Sequence, residues 1–296
     1  MTDPVDCAII GAGPGGLTAA IHLSRFRRPI VLFDAGNSRA RWIPESHNCP
    51  GFPTGINGDA FLGRLHQQAR ASGARVEADE VVRLQRDGEL FVLEGAGDRV
   101  VARNVILATG CEDVLPDIDD LDEAVACGAV RFCPICDAFE AIDRDIALYG
   151  PLDAAVSHAR FLRTYSDRVT IVPTDLPADR QRTLRLRDDG VAVCTLPESI
   201  RFDGERCGFG FGDRFRTFDV VYAMLGSRQR SELALSLGAA CDDERALHVD
   251  DHLETSVPGL YAIGDVVSAL NQIAVATGHA AIAATAVHNA LPARFA

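Results

Sequence analysis

Gly11-Ala12-Gly13-Pro14-Gly15-Gly16 stands between a strand-like apolar run, Val5–Ile10, and an apolar helix-like segment. No other stretch restricts the fold as strongly. It fits G-x-G-x-x-G in the context that gives the pattern meaning, directly after a strand and opening a helix. The first glycine permits the tight turn, the second lets the backbone approach a pyrophosphate, and the third lets the helix pack close to the strand. The helix N-terminus then offers free N–H groups and a partial positive charge to that pyrophosphate. Asp34 follows the next strand, Ile30–Phe33, where a carboxylate reaches ribose hydroxyls. The simpler alternative is a bare glycine turn beside a solvated acid. With strand, helix and acid in place, nucleotide binding is favoured, with Gly11, Gly13, Pro14, Gly16 and Asp34 as candidate ligands.

At 296 residues there is room for two ordinary domains. The first block reads strand, glycine turn, helix over about 15–27 and strand, a βαβ unit. A helix follows, with Asp59 as its N-cap and Gly73 just past its end. Three apolar stretches at 81–84, 90–93 and 99–102 read as a meander, and a separate strand at 105–108 closes the block. A second βαβ-like unit begins at Ile146, and a second meander covers 191–221. The acidic stretch 117–123 and the turn-rich 240–251 are candidate linkers. The tail is strand, glycine turn and an Ala-rich helix, with His279 in the turn leading toward it. The expectation is an α/β chain of two Rossmann-like, three-layer ββα domains. The first is discontinuous (1–115 and 248–296), and the second spans 116–247.

Net charge is −13, and all 29 basic residues are arginine. Such a chain repels phosphate backbones, so nucleic acid is not an expected partner. No apolar run is long enough for a bilayer, and the start Met1-Thr2-Asp3-Pro4 lacks a basic signal region, which points to a cytoplasmic protein without a membrane partner. Nine cysteines, single apart from one close pair, are not a secreted disulfide framework.

That pair is the chemical centre: Phe132-Cys133-Pro134-Ile135-Cys136-Asp137. C-x-x-C brings two sulfurs within disulfide reach and can depress one thiol's pKa. Asp137 stands where a general acid or base would serve dithiol–disulfide exchange. Half of a zinc site is an alternative, with Cys127 and His158 as conceivable additions, although nothing in their spacing supports it and no metal is expected. Inert core cysteines are another. Cys49 and Cys111 read as packed thiols, and Trp42 as a cofactor shield or core filler.

Thr109-Gly110, after the strand at 105–108, and the run from Thr255 to Gly264-Asp265 resemble the second and third FAD signatures of two-dinucleotide-domain flavoproteins. The order of fingerprint, Ala-Thr-Gly, C-x-x-C-D and Gly-Asp resembles the low-molecular-weight thioredoxin reductase family over nearly the whole chain. Asn48-Cys49-Pro50-Gly51-Phe52-Pro53 and Asn271-Gln272 add to the likeness. The resemblance implies FAD in the first domain, held also by Asn48, Thr109, Gly110, Gly264, Asp265, Gln272 and Ile273. It implies a homodimer, a thioredoxin-like protein or small dithiol as partner, Cys136 facing the flavin and Cys133 attacking the partner's disulfide.

The second unit departs from that family. Gly150-Pro151-Leu152-Asp153-Ala154-Ala155 keeps the first glycine, but Leu152 stands where a glycine should admit a pyrophosphate and Pro151 removes an N–H. Where the family carries a His-Arg-Arg cluster for the 2′-phosphate, this chain has Pro173-Thr174-Asp175, and an Asp repels phosphate. Gly226 to Ser231 lacks the usual Pro-Asn. Arg180 or Arg182 would be the substitute phosphate contacts. Together the losses argue against NADPH. The expected enzyme is a flavin thiol–disulfide oxidoreductase fed by a ferredoxin-type or other donor. A dithiol oxidase using O2 is the next reading: Pro134 and Glu140 fit its pattern, while Asp137-Ala138 replaces its His-Gly. An NADPH reductase with a divergent site and a non-enzymatic flavin sensor follow. Without a nicotinamide, a narrower set of domain orientations is expected, with the disulfide against the flavin.

Overall fold

The computed structural model describes residues 3–175, 189–267 and 270–294; Arg180 and Arg182 lie outside the described residues. Strands β1 (Val5–Ile10), β2 (Ile30–Phe33), β3 (Arg75–Glu77), β4 (Arg83–Asp87), β5 (Leu90–Glu94) and β6 (Val100–Leu107) form one sheet in the order β3-β2-β1-β6-β5-β4. Its central parallel strands β1 and β2 are nearly continuous apolar runs because both faces are covered. Helix α1 (Pro14–Arg25) covers one face and packs against the Ala-rich C-terminal helix Ile273–Ala290. Ala19 and Ala20 share a core with Ala280, Ala283 and Ala284, and Leu17, Leu23, Ile9 and Leu32 fill it. Each fully buried Leu or Ile there contributes about 1.5–3 kcal/mol.

The stretches expected as a meander strand at 99–102 and a separate strand at 105–108 are one strand, β6. One edge of β6 pairs parallel with β1 from Ala102 to Leu107. Its other edge is shared: Val100–Ala102 pair antiparallel with β5, while Val105–Leu107 pair parallel with the returning strand Leu260–Ala262. Helix α2 (Gly58–Ala71) is capped by Asn57, whose Oδ1 accepts from the N–H groups of Asp59 and Ala60, so Asp59 belongs to the first turn and is not the cap. Gly73 lies just past its end at φ +89°, as expected.

Beyond β7 (Cys111–Asp113) a second sheet forms from β8 (Val130–Arg131), β9 (Ile146–Gly150), β10 (Val169–Pro173), β11 (Ala192–Val193) and a strand at Val220–Ala223. All of its pairings are parallel. β11, expected to open the second meander, pairs with β10 instead, and the antiparallel meander is confined to Ser199–Phe202, Cys207–Phe211 and Arg214–Phe218. The stretch expected as an acidic linker runs into the helix Leu121–Ala126, and Ile118 is buried in the core beside it. β7 pairs antiparallel with Ser227–Gln229. We propose this two-stranded ribbon, and not 240–251, as the return crossing between two domains, because Ala234, Ala239 and Leu247 pack in the core under the first sheet.

Candidate functional site

A cavity of about 680 Å³ runs from the β1–α1 turn to the redox pair. At one end, Gly11 adopts φ +104°, and a Cβ there would meet the Ala108 carbonyl oxygen at 2.4 Å. Gly13 is the N-cap residue of α1 and makes no side-chain cap, so no capping side chain competes for the first-turn N–H groups. Gly13 and Pro14 line the cavity, as does Asp34. Gly16, expected as a ligand, does not: a Cβ there would meet the Gly11 carbonyl oxygen at 1.8 Å, so its work is close packing of helix on turn. The Asp34 carboxylate accepts from the Gly36 N–H at 2.9 Å and lies 3.3 Å from His66 Nε2.

The middle of the cavity is held by a charge cluster that sequence reasoning missed. Arg39 donates to both Asp113 oxygens, at 2.6 and 2.9 Å, and to Asp265 Oδ2 at 3.3 Å. Burial works against the Arg39 charge, and the carboxylates outweigh it, holding the guanidinium above its ordinary range. Burial also pushes the Asp265 carboxyl up, against the pull of Arg39. Gly264 bends at φ +73°, and its N–H donates to His279 Nδ1 at 3.2 Å. His279 therefore sits inside the C-terminal helix, not in the turn before it, and burial lowers its pKa, which favours the neutral ring that accepts this bond. Thr109 Oγ1 donates to the Arg230 carbonyl at 2.5 Å, and Gly110 O accepts from the Arg230 N–H at 3.0 Å. Both residues line the cavity, tied to the segment after the ribbon.

Cys133 and Cys136 close the far end, joined as a disulfide with Cα atoms 5.3 Å apart. Gln272 Nε2 donates to Cys136 Sγ at 3.2 Å and to Cys133 Sγ at 3.6 Å, while its Oε1 accepts from Asn48 Nδ2 at 3.0 Å. Ile273, at the start of the C-terminal helix, lines the cavity beside them. Trp42 lines it too and meets Phe132 edge-on, with ring centroids 6.1 Å apart. Cys111 faces the cavity, its thiol donating to Asp265 Oδ2 at 3.8 Å and pushed up to about 11 by burial, whereas Cys49 is packed with Phe52 and Phe61.

Asp137 follows the pair directly. Burial raises its carboxyl to about 6, against Arg131 and a hydrogen bond from Tyr222, both of which favour the charged form. A group poised there exchanges protons near neutral pH.

The second glycine turn is built differently. The helix Leu152–Leu162 begins after Pro151, and the Leu152 side chain is buried in the core. The Leu152 N–H donates to Asp175 Oδ1 at 2.8 Å. The exposed Asp175 carboxylate thus supplies an acceptor to the first N–H of this helix. Gly150 survives for packing: a Cβ there would meet the Met224 carbonyl oxygen at 2.3 Å.

A family model described as pyridine nucleotide-disulphide oxidoreductase matches residues 5–280. The chain is 30% identical over 301 residues to the thioredoxin reductase of Treponema pallidum, covering 97% of each. The crystal structure of HlmI superposes with a TM-score of 0.89 at 28% identity, over 97% of this chain and 92% of that one. The thioredoxin reductase from Streptococcus pyogenes MGAS5005 does so at 0.88 and 25% identity, over 96% and 97%.

Proposed function

Because this chain belongs to the pyridine nucleotide-disulphide oxidoreductase family, we propose an FAD enzyme that moves electron pairs between its flavin, the Cys133–Cys136 disulfide and a partner's disulfide or dithiol, without NADPH. One observation carries the reading: the disulfide lines the same cavity as the β1–α1 glycine turn, with Gln272 touching both sulfurs.

The residues present fit FAD. Gly11, Gly13 and Pro14 suit its pyrophosphate, Asp34 a ribose, and Asp265, fixed by Arg39, the middle of an extended molecule. Asn271 Oδ1 is buried without a hydrogen-bond partner among the described residues, an acceptor that a donor on a bound molecule would satisfy. FAD there would supply two-electron redox chemistry beside the disulfide. The chain's own residues do the rest. Gln272 and Asn48 hold the disulfide at the cavity's end, and Asp137 holds or releases the proton that sulfur needs. Following the family likeness, Cys133 meets the partner and Cys136 faces the flavin. The same likeness supports Gly110, Thr109, Gly264 and Ile273 as FAD contacts, a homodimer and a thioredoxin-type or small dithiol partner.

The Asp175–Leu152 contact and the buried Leu152 support the lack of a nicotinamide site, which leaves a ferredoxin-type or other donor to supply electrons. Anaerobic mixing with dithiothreitol tests the disulfide route. The wild-type flavin band should bleach, and the Cys133→Ser, Cys136→Ser double variant should stay yellow. Equal bleaching in both would sink the proposal.

A further inference from the structure

Tyr222 is wholly buried, yet its hydroxyl is spent on the redox centre. It lies on the strand Val220–Ala223, which pairs parallel with β8, and Tyr222 is the register partner of Arg131. β8 leads into Phe132 and the disulfide, and Asp137 ends the short helix Pro134–Asp137. The Tyr222 hydroxyl donates to Asp137 Oδ1 at 2.9 Å. Arg131 Nη1 donates to the Asp137 backbone carbonyl at 2.9 Å and lies 3.6 Å from Oδ2. Two neighbouring strands therefore grip one carboxyl from two sides. A phenylalanine would fill the same space in the core without a hydroxyl to satisfy, so packing does not account for the phenol.

We propose that Tyr222 is a positioning residue for the redox step, its hydroxyl holding the Asp137 carboxyl where it serves the disulfide as proton donor and acceptor. This rests on the disulfide route proposed above. With a dithiol substrate, a thiolate attacks Cys133 Sγ, the Cys133–Cys136 bond breaks, and its electron pair passes to Cys136 Sγ, which takes the Asp137 proton. The second substrate thiolate then displaces Cys133 from the mixed disulfide. The substrate becomes a disulfide, the pair becomes a dithiol, and the substrate's two protons balance those taken up by the enzyme's sulfurs, so Asp137 is restored.

The groups that act on Asp137 come from three elements. Arg131 of β8 and Tyr222 favour its charged form, while Glu140 of the following turn and burial oppose it. Removing the hydroxyl deletes one donor to the carboxylate, so Tyr222→Phe should hold the proton to a pH about one unit higher.

Two measurements test this. Infrared difference titration of FAD-loaded protein, with Asp137→Asn to assign the band, should show the Asp137 midpoint moving up in Tyr222→Phe. Anaerobic dithiothreitol bleaching across the pH range should give a variant-to-wild-type rate ratio that lies below one at low pH, where both carboxyls are protonated and only their placement differs, and rises by up to about tenfold through the window between the two midpoints. Taking the ratio cancels the titration of dithiothreitol. An unmoved infrared midpoint, or a flat ratio, would overturn the role of Tyr222. If wild type fails to bleach, the disulfide route itself falls, and the infrared midpoint still decides whether Tyr222 governs Asp137.

Discussion

Replacing Asp137 by Asn should stabilise the fold while removing the enzyme's proton donor. Burial is the chief cause that raises the Asp137 carboxyl from an ordinary 3.8 to about 6 in the folded chain. Between those values the native state binds more protons than the unfolded chain, so stability falls as pH rises through the window. Above it the cost is complete. The difference between those two values corresponds to about 3 kcal/mol. Asn keeps the shape and carries no charge, and its oxygen still accepts from Tyr222. Its amide nitrogen faces Arg131 less favourably, which leaves an expected gain of about 1–2 kcal/mol. Urea unfolding with FAD in excess should show the variant equal to wild type, or slightly weaker, near pH 4, and more stable at pH 8. Dithiol turnover should drop by about a hundredfold or more. A stability difference that ignores pH, or a variant that weakens above pH 6, would refute the argument that the fold strains against this charge.

Gly11→Ala combines a φ of +104° with a Cβ driven into the Ala108 carbonyl, so it should cost about 2 kcal/mol or more and lower the FAD content of purified protein. Arg39→Met leaves Asp113 and Asp265 part-buried without their cation; a loss of about 3–5 kcal/mol is expected. That loss should be larger at pH 8 than at pH 4, because burial raises the Asp265 carboxyl and its charge is lost first as pH falls, as unfolding curves at both values would show. Asp175→Ala should cost about 1 kcal/mol and speed amide exchange at Leu152, whose N–H loses its acceptor.

The first βαβ unit was legible because its signals are local: an apolar strand, glycines whose spacing serves one turn, and an acid at the next strand end. The redox pair was legible for the same reason. β6 was misdivided because what unifies it lies far off in sequence: β1 along one edge, and β5 and the strand Leu260–Ala262 sharing the other. Asn57 and Asp59 are both good caps by residue type, and only the extended backbone at Asn57 selects between them. Arg39 and Tyr222 carried no signal at all. Tyr222 reads as one more apolar position in a buried strand, and its partnership with Asp137 exists only once that strand sets its register against β8. In the sequence Leu152 and Asp175 each read as a loss. Their direct contact, through the Leu152 N–H, is a feature of the folded turn alone.

Electron entry without a nicotinamide is tested by anaerobic mixing of the FAD-loaded protein with excess NADPH, and separately NADH, while the flavin band is followed. Neither nucleotide should bleach it on a catalytic timescale, whereas a reduced ferredoxin or dithionite should. Rapid bleaching by either nucleotide would show a working nicotinamide site at Gly150–Ala155 and contradict the claim that electrons reach Cys133–Cys136 without one.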